Sequence, residues 1–145
     1  MKKYRIASFT IIFAIIFTAF CSETASASTL RASPTLSSYG VVATAGDSAG
    51  EIVFTYDILS NSIAESLGVS SMEIYKSNGS SGTYVTTIYP STSNGFTTSG
   101  TMRHRSSYTY CGTSGTSYYA KVTVFATIGG VTDSRIVTTN TVKAP

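Results

Sequence analysis

Apolar and polar residues alternate along most of this chain. Ile52, Phe54, Tyr56 and Ile58 are interleaved with Val53, Thr55 and Asp57, the period of two that marks a half-buried strand with its bulky set toward a core. Tyr118, Ala120, Val122, Val124 and Ala126 repeat the pattern without a fault. Weaker alternation runs through residues 39–45, through 70–75 with Met72 and Ile74 on one side and Tyr75 on the other, and through 84–89, 107–111 and 134–142. Between these segments stand turn formers: Gly46 to Gly50, Gly112 to Gly115, Gly129-Gly130, and Asn78-Gly79 within Ser77 to Gly82. Asn-Gly is the strongest short-range hairpin signal, and Pro90 stops the strand that follows, because proline cannot donate to a ladder.

Two stretches break the rhythm. Ser62 precedes Glu65 by three residues, the spacing of a helix N-terminal capping box, and Ile63 and Leu67 lie four apart. One short helical turn ending at Gly68 is predicted there, plugging an end of the fold. Residues 91–105 are the least regular, broken by Gly95 and Gly100. Many short strands with almost no helix predict an all-β domain, a single antiparallel sandwich of about seven strands over residues 36–145.

The beginning of the chain has another character. Lys2, Lys3 and Arg5 precede an apolar run from Ile6 to Phe20, followed by Ala25-Ser26-Ala27. This is the pattern of a secretory signal peptide over residues 1–27, and the run is shorter than the roughly 20 residues a membrane-spanning helix needs. Cys21 opens lipid attachment as a competing reading, but Phe20 stands where a lipoprotein site wants a small residue. Residues 28–35 read as a flexible leader. The expected location is secreted, outside the cell, with no membrane span in the mature chain.

Removing residues 1–27 also changes the charge. The whole chain carries +3. The remainder keeps Arg31, Lys76, Arg103, Arg105, Lys121, Arg135 and Lys143 against Asp47, Glu51, Asp57, Glu65, Glu73 and Asp133, a balance near +1. Such a domain lacks the electrostatic footprint of a nucleic-acid or anionic-lipid binder. Ser and Thr fill about a third of residues 28–145, yet the alternating Val, Ile, Tyr and Phe argue against disorder. Cys111 is the only cysteine left. It is expected to be a small buried hydrophobe within a strand; the other reading is a disulfide joining two chains.

The stretch Gly115-Thr116-Ser117-Tyr118-Tyr119-Ala120-Lys121-Val122-Thr123-Val124-Phe125-Ala126 resembles the penultimate strand of fibronectin type III and related immunoglobulin-like domains. The resemblance implies an immunoglobulin-like sandwich in which Tyr118 is the tyrosine-corner residue, its ring packed and its hydroxyl bonded to upstream backbone. It also implies that Tyr56 takes the place of the core Trp. Ile74 to Ser77, Ser91 to Gly95 and Ser114 to Tyr119 are similar to segments of small secreted bacterial proteins of unassigned function, a resemblance that implies export and a sandwich but no activity.

Chemistry is sparse. His104, the only histidine, lies between Arg103 and Arg105, whose charges make it a poor proton acceptor. No Gly-x-Ser-x-Gly elbow occurs, the six acids are scattered, and one Cys with one His does not make a zinc set. No catalytic residue, metal or cofactor is expected. Asn78-Gly79-Ser80 matches the glycosylation acceptor pattern, which common turn residues meet easily.

Surfaces remain. Tyr75, Tyr119, Lys121 and Phe125 are expected to point outward from neighbouring strands as one aromatic binding patch, and Arg103, His104 and Arg105 form a candidate anion contact. The expected function is a small secreted non-catalytic module that meets another protein or the cell envelope. The alternative is a carbohydrate-binding or adhesin-like domain that uses the aromatic patch on a glycan.

Overall fold

A computed structural model describes residues 33–145. The signal peptide, Cys21 and residues 28–32 of the leader lie outside the described residues. Within them the chain forms nine strands: β1 (Leu36–Ala45), β2 (Glu51–Ala64), β3 (Ser66–Ser77), β4 (Gly82–Ile88), β5 (Thr97–Thr98), β6 (Thr101–Cys111), β7 (Ser117–Ile128), β8 (Val131–Thr138) and β9 (Val142–Lys143). β1, β2 and β6 make one sheet. The other runs β4-β3-β7-β8, with β5 added to β3 and β9 to β7. All pairings are antiparallel. The result is a two-sheet β-sandwich. Seven strands are long, and the two beyond the expected number are only two residues each.

The alternation sets which side chains are inside. Ile52, Phe54, Tyr56 and Ile58 of β2 are fully buried, as are Met72 and Ile74 of β3 and Ala120, Val122, Val124 and Ala126 of β7. Burying each large apolar side chain contributes about 1.5–3 kcal/mol. Tyr56 occupies the interior and donates its hydroxyl to Gly95 O at 2.8 Å, so its polar tip is satisfied.

The predicted helical turn at Ser62–Gly68 is not formed. β2 runs to Ala64, and after Glu65 alone the chain enters β3 in the opposite sheet. A helix would place Ile63 and Leu67 on one face, but Ile63 is 66% exposed while Leu67 is fully buried. Glu65 serves the crossing instead: its N–H donates to Thr127 O, and its carboxylate accepts from Gly130 N–H.

Residues 91–105 are more ordered than their sequence suggests, since β6 already begins at Thr101. The remainder folds inward as a plug. Phe96 is fully buried and meets Tyr56 and Tyr108 edge to face, at centroid distances of 6.1 and 5.3 Å. Its carbonyl accepts from Val69 N–H. Gly68 makes this docking feasible, because a Cβ there would stand 2.0 Å from Phe96 O.

Two more expectations need correction. Cys111 is exposed rather than buried, because Tyr108 and Tyr110 take the inward parity of β6 and leave Cys111 on the outer one. Ser33 to Thr35, read as part of a flexible leader, are pinned: Ser33 Oγ donates to Asp133 Oδ2 and Thr35 Oγ1 to Ala126 O. Across the fold, the Asn140 amide donates to Ala43 O and accepts from Ala43 N–H, both at 2.9 Å, clasping edge strand β1.

Val122→Ala and Val124→Ala should each lower stability by about 1–3 kcal/mol through lost burial and a residual cavity. Thr123→Ala, on the outer face, should cost clearly less in chemical denaturation. Equal losses at all three positions would contradict the register.

The hydrogen bond from Ser33, aided by Arg135 and the Ser134 N–H, holds the Asp133 carboxyl below the usual carboxylate range. Its charged form is therefore favoured by folding. That stabilisation is complete at neutral pH and fades as pH falls from the ordinary carboxylate range through the lowered value of the folded state. Melting curves of the chain and of Asp133→Asn should differ most at neutral pH and converge on acidification. A gap that stays constant across that range would rule this out.

Candidate functional site

Ile74 and Ala120 point into the core, so their neighbours Tyr75 and Tyr119 must point out from the larger sheet. Register brings these two side by side, since Tyr75 is the cross-strand partner of Tyr119. On the other side of Tyr75 stands Tyr84 of β4. That placement depends on a bulge: pairing steps from Ile74–Thr86 to Tyr75–Tyr84, and the extra residue, Val85, packs against the core. Three tyrosines thus cross β4, β3 and β7 in a row.

The Tyr75 and Tyr119 rings are nearly parallel, 9° apart, with centroids 5.2 Å from each other. Rings lying flat side by side could not come so close, so the two stand face to face on the sheet. Tyr84 meets Tyr75 edge to face at 5.8 Å. Tyr75 is consequently contacted by an aromatic ring on either side. The Lys121 ammonium lies 5.1 Å from the Tyr75 centroid, within cation–π range. The Tyr75 hydroxyl donates to Glu73 Oε2 at 2.7 Å, and this bond to the carboxylate raises the phenol above its ordinary pKa.

Tyr119 reaches across the start of β4, where a Cβ on Gly82 would lie 2.1 Å from its hydroxyl oxygen. It also lines an open depression of about 300 Å³, together with Ser77, Ser80 and Ser81 of the hairpin, Lys121, Thr138 at the end of β8 and Thr141 beyond it. One face of Tyr119 belongs to Tyr75. The rest of its surface, a ring of hydroxyls and one ammonium form a wall able to stack on one flat group and hydrogen-bond its polar substituents.

Of the four residues expected as one patch, Tyr75, Tyr119 and Lys121 come together. Phe125 does not. It is half-buried, paired with Gly68 and Ser134, six residues along β7 from Tyr119 and hence about 20 Å away. The face is not a continuous apolar area.

Arg103, His104 and Arg105 are placed on β6, in the other sheet. Strand parity separates them. Arg103 makes a bidentate pair with Asp57, Nε–Oδ1 2.8 Å and Nη2–Oδ2 2.5 Å, and Arg105 Nε lies 3.5 Å from Oδ2. The hydrogen bonds from Arg103 hold the Asp57 carboxyl below its usual pKa. His104 points the opposite way, against the Tyr56 ring, with Nε2 2.8 Å from Gly95 O. A carbonyl only accepts, so Nε2 carries the proton. Asp57 already occupies the arginines, and His104 serves the plug.

Tyr118 is buried, and its hydroxyl accepts from Thr113 N–H at 2.9 Å, an upstream backbone bond of the kind expected. Among the described residues no three His, Cys, Asp or Glu side chains gather as a metal-binding group.

Comparison with family models, with curated proteins and with solved structures finds no match to this chain. The site therefore rests on its own geometry. Sequence reading missed Tyr84 and the hydroxyl wall. The Asn78-Gly79 hairpin signal puts β3 beside β4, but the bulge that brings Tyr84 opposite Tyr75 has no residue signature.

Gly82→Ala should push the Tyr119 hydroxyl aside and disturb the stack. Expected are a weakened near-ultraviolet tyrosine circular dichroism and a stability loss no larger than about 1.5 kcal/mol, the upper worth of an aromatic pair. An unchanged spectrum would mean that the ring does not lie across Gly82.

Proposed function

We propose that this chain is a small secreted, non-catalytic module of immunoglobulin-like type, which meets another protein or the cell envelope through the outer face of its larger sheet. The observation that carries the reading is the Tyr84–Tyr75–Tyr119 row with Lys121 beside it. Tyrosines offer large, rigid contact area with a polar tip and are enriched where binding energy concentrates. Hydroxyl residues around the row give a wet rim, as protein contact surfaces have.

The immunoglobulin-like assignment draws support from strand order. The first, second and sixth strands oppose the third, seventh and eighth, with β4 as an added edge beside β3, an arrangement similar to that of such domains. The Tyr118–Thr113 bond supports it further. Export rests on residues 1–27 alone.

A carbohydrate-binding role is the second reading, favoured by the part of Tyr119 that faces the depression among Lys121, Ser80, Ser81, Thr138 and Thr141. The upright rings count against a broad stacking platform. Within the depression a sugar ring would find one aromatic side chain, Tyr119.

Residues 28–145, immobilised, should retain a partner from culture medium. The Tyr84→Ala, Tyr119→Ala double variant should retain it at least about tenfold less, the loss expected from central aromatic anchors. Val42→Ala, exposed on β1, should bind as the parent does. A glycan array separates the two readings: saccharide binding lost in Tyr119→Ala selects the second. Equal retention by parent and double variant would refute the tyrosine face as the contact.

A further inference from the structure

The chain contains two Asn-Gly pairs, Asn78-Gly79 and Asn94-Gly95, and the fold treats them differently. Asn78 sits at the exposed tip of the β3–β4 hairpin. Its side chain makes one described hydrogen bond, Nδ2 donating to Thr83 Oγ1 at 3.1 Å. Gly79 has φ of +89°, and a Cβ built on it would meet nothing within 4 Å, so the backbone beside the amide is open to solvent and free of steric cover. Asn94 is half-buried and bound at both ends. Its Oδ1 accepts from Ser91 N–H and Phe96 N–H, and its Nδ2 donates to Tyr89 O at 2.7 Å. The next carbonyl, Gly95 O, takes Tyr56 and His104. Asn94 is thus built into the plug.

We propose that Asn78 is a site of spontaneous deamidation, a charge-changing backbone modification, and that the fold protects Asn94 from the same reaction. The Gly79 amide nitrogen, on losing its proton, attacks Cγ of Asn78. The C–N bond to the side-chain nitrogen breaks, and ammonia leaves with that proton. The resulting five-membered imide takes up one water at either carbonyl and opens to aspartate or to isoaspartate. Glycine favours the attack because it has no side chain to obstruct the approach. At Asn94 the same approach requires three hydrogen bonds to break and the loop to open first.

The product has consequences beyond its charge. A carboxylate appears on the hairpin that walls the depression, whose one charged lining residue is Lys121. Isoaspartate also adds a methylene to the turn closed by the Asn78 N–H to Ser81 O bond. The inference stands apart from the proposed function, because it needs only the two loops.

The test holds the full mature chain, residues 28–145, in mildly alkaline buffer, natively and in denaturant. Trypsin cutting after Lys76 and Arg103 releases both asparagines in one peptide, and fragmentation mass spectrometry assigns each conversion; labelling by an isoaspartyl methyltransferase gives an independent readout. In denaturant the two sites should react at comparable rates. In the native protein Asn78 should react at least about tenfold faster than Asn94, equivalent to about 1.4 kcal/mol of loop opening. Asn94 keeping pace in the folded state, or Asn78 remaining intact there while both react in denaturant, would overturn the proposal.

Discussion

The seal between β2 and β7 governs the rest of the molecule. Phe54 and Tyr56 on one sheet share the core with a wall in which Ala120 and Ala126 flank Val122 and Val124 on the other. Large rings against small side chains let two twisted layers approach closely, as dense interiors require. The described residues contain no disulfide, so this apolar seal and the ladders carry the fold. It also sets the outer surface, because every residue committed to the interior fixes the direction of its neighbour.

The tyrosine row follows from that commitment. Ile74 and Ala120 are inward, so Tyr75 and Tyr119 are outward and adjacent. The row is then shaped by local geometry: the Val85 bulge supplies Tyr84, the small Gly82 lets Tyr119 extend, and Glu73 anchors the Tyr75 hydroxyl. The rings stand upright and use one another's faces. The surface therefore offers ring edges, hydroxyls and the exposed Tyr84 ring to a partner, with Tyr119 opening on the depression.

Much of this was legible in the sequence. The alternation at residues 52–58 and 118–126 gave the inward sets correctly, because a period of two has one structural meaning when a single face is buried. The capping-box spacing of Ser62 and Glu65 misled, since a strand crossing sheets satisfies the same Glu65 groups with Thr127 O and Gly130 N–H. Parity would have placed Cys111 outside had Tyr108 and Tyr110 been given the core. Residues 91–105 look irregular in sequence, which hides the alternation that turns Arg103 and Arg105 to Asp57 and sends His104 inward. Register shifts such as that at Val85 depend on closure of the whole sandwich and leave no local trace.

The Asn140 clasp on Ala43 reaches beyond the single molecule. A sheet margin with bare amides and carbonyls is a template on which a neighbouring chain can zip up and begin a fibre. Here a side-chain amide, borrowed from the far end of the polypeptide, imitates one rung of such a neighbour and fills the place first. Pairing of a neighbouring strand at Ala43 must first break both native bonds, so the clasp closes that rung of the margin to another chain.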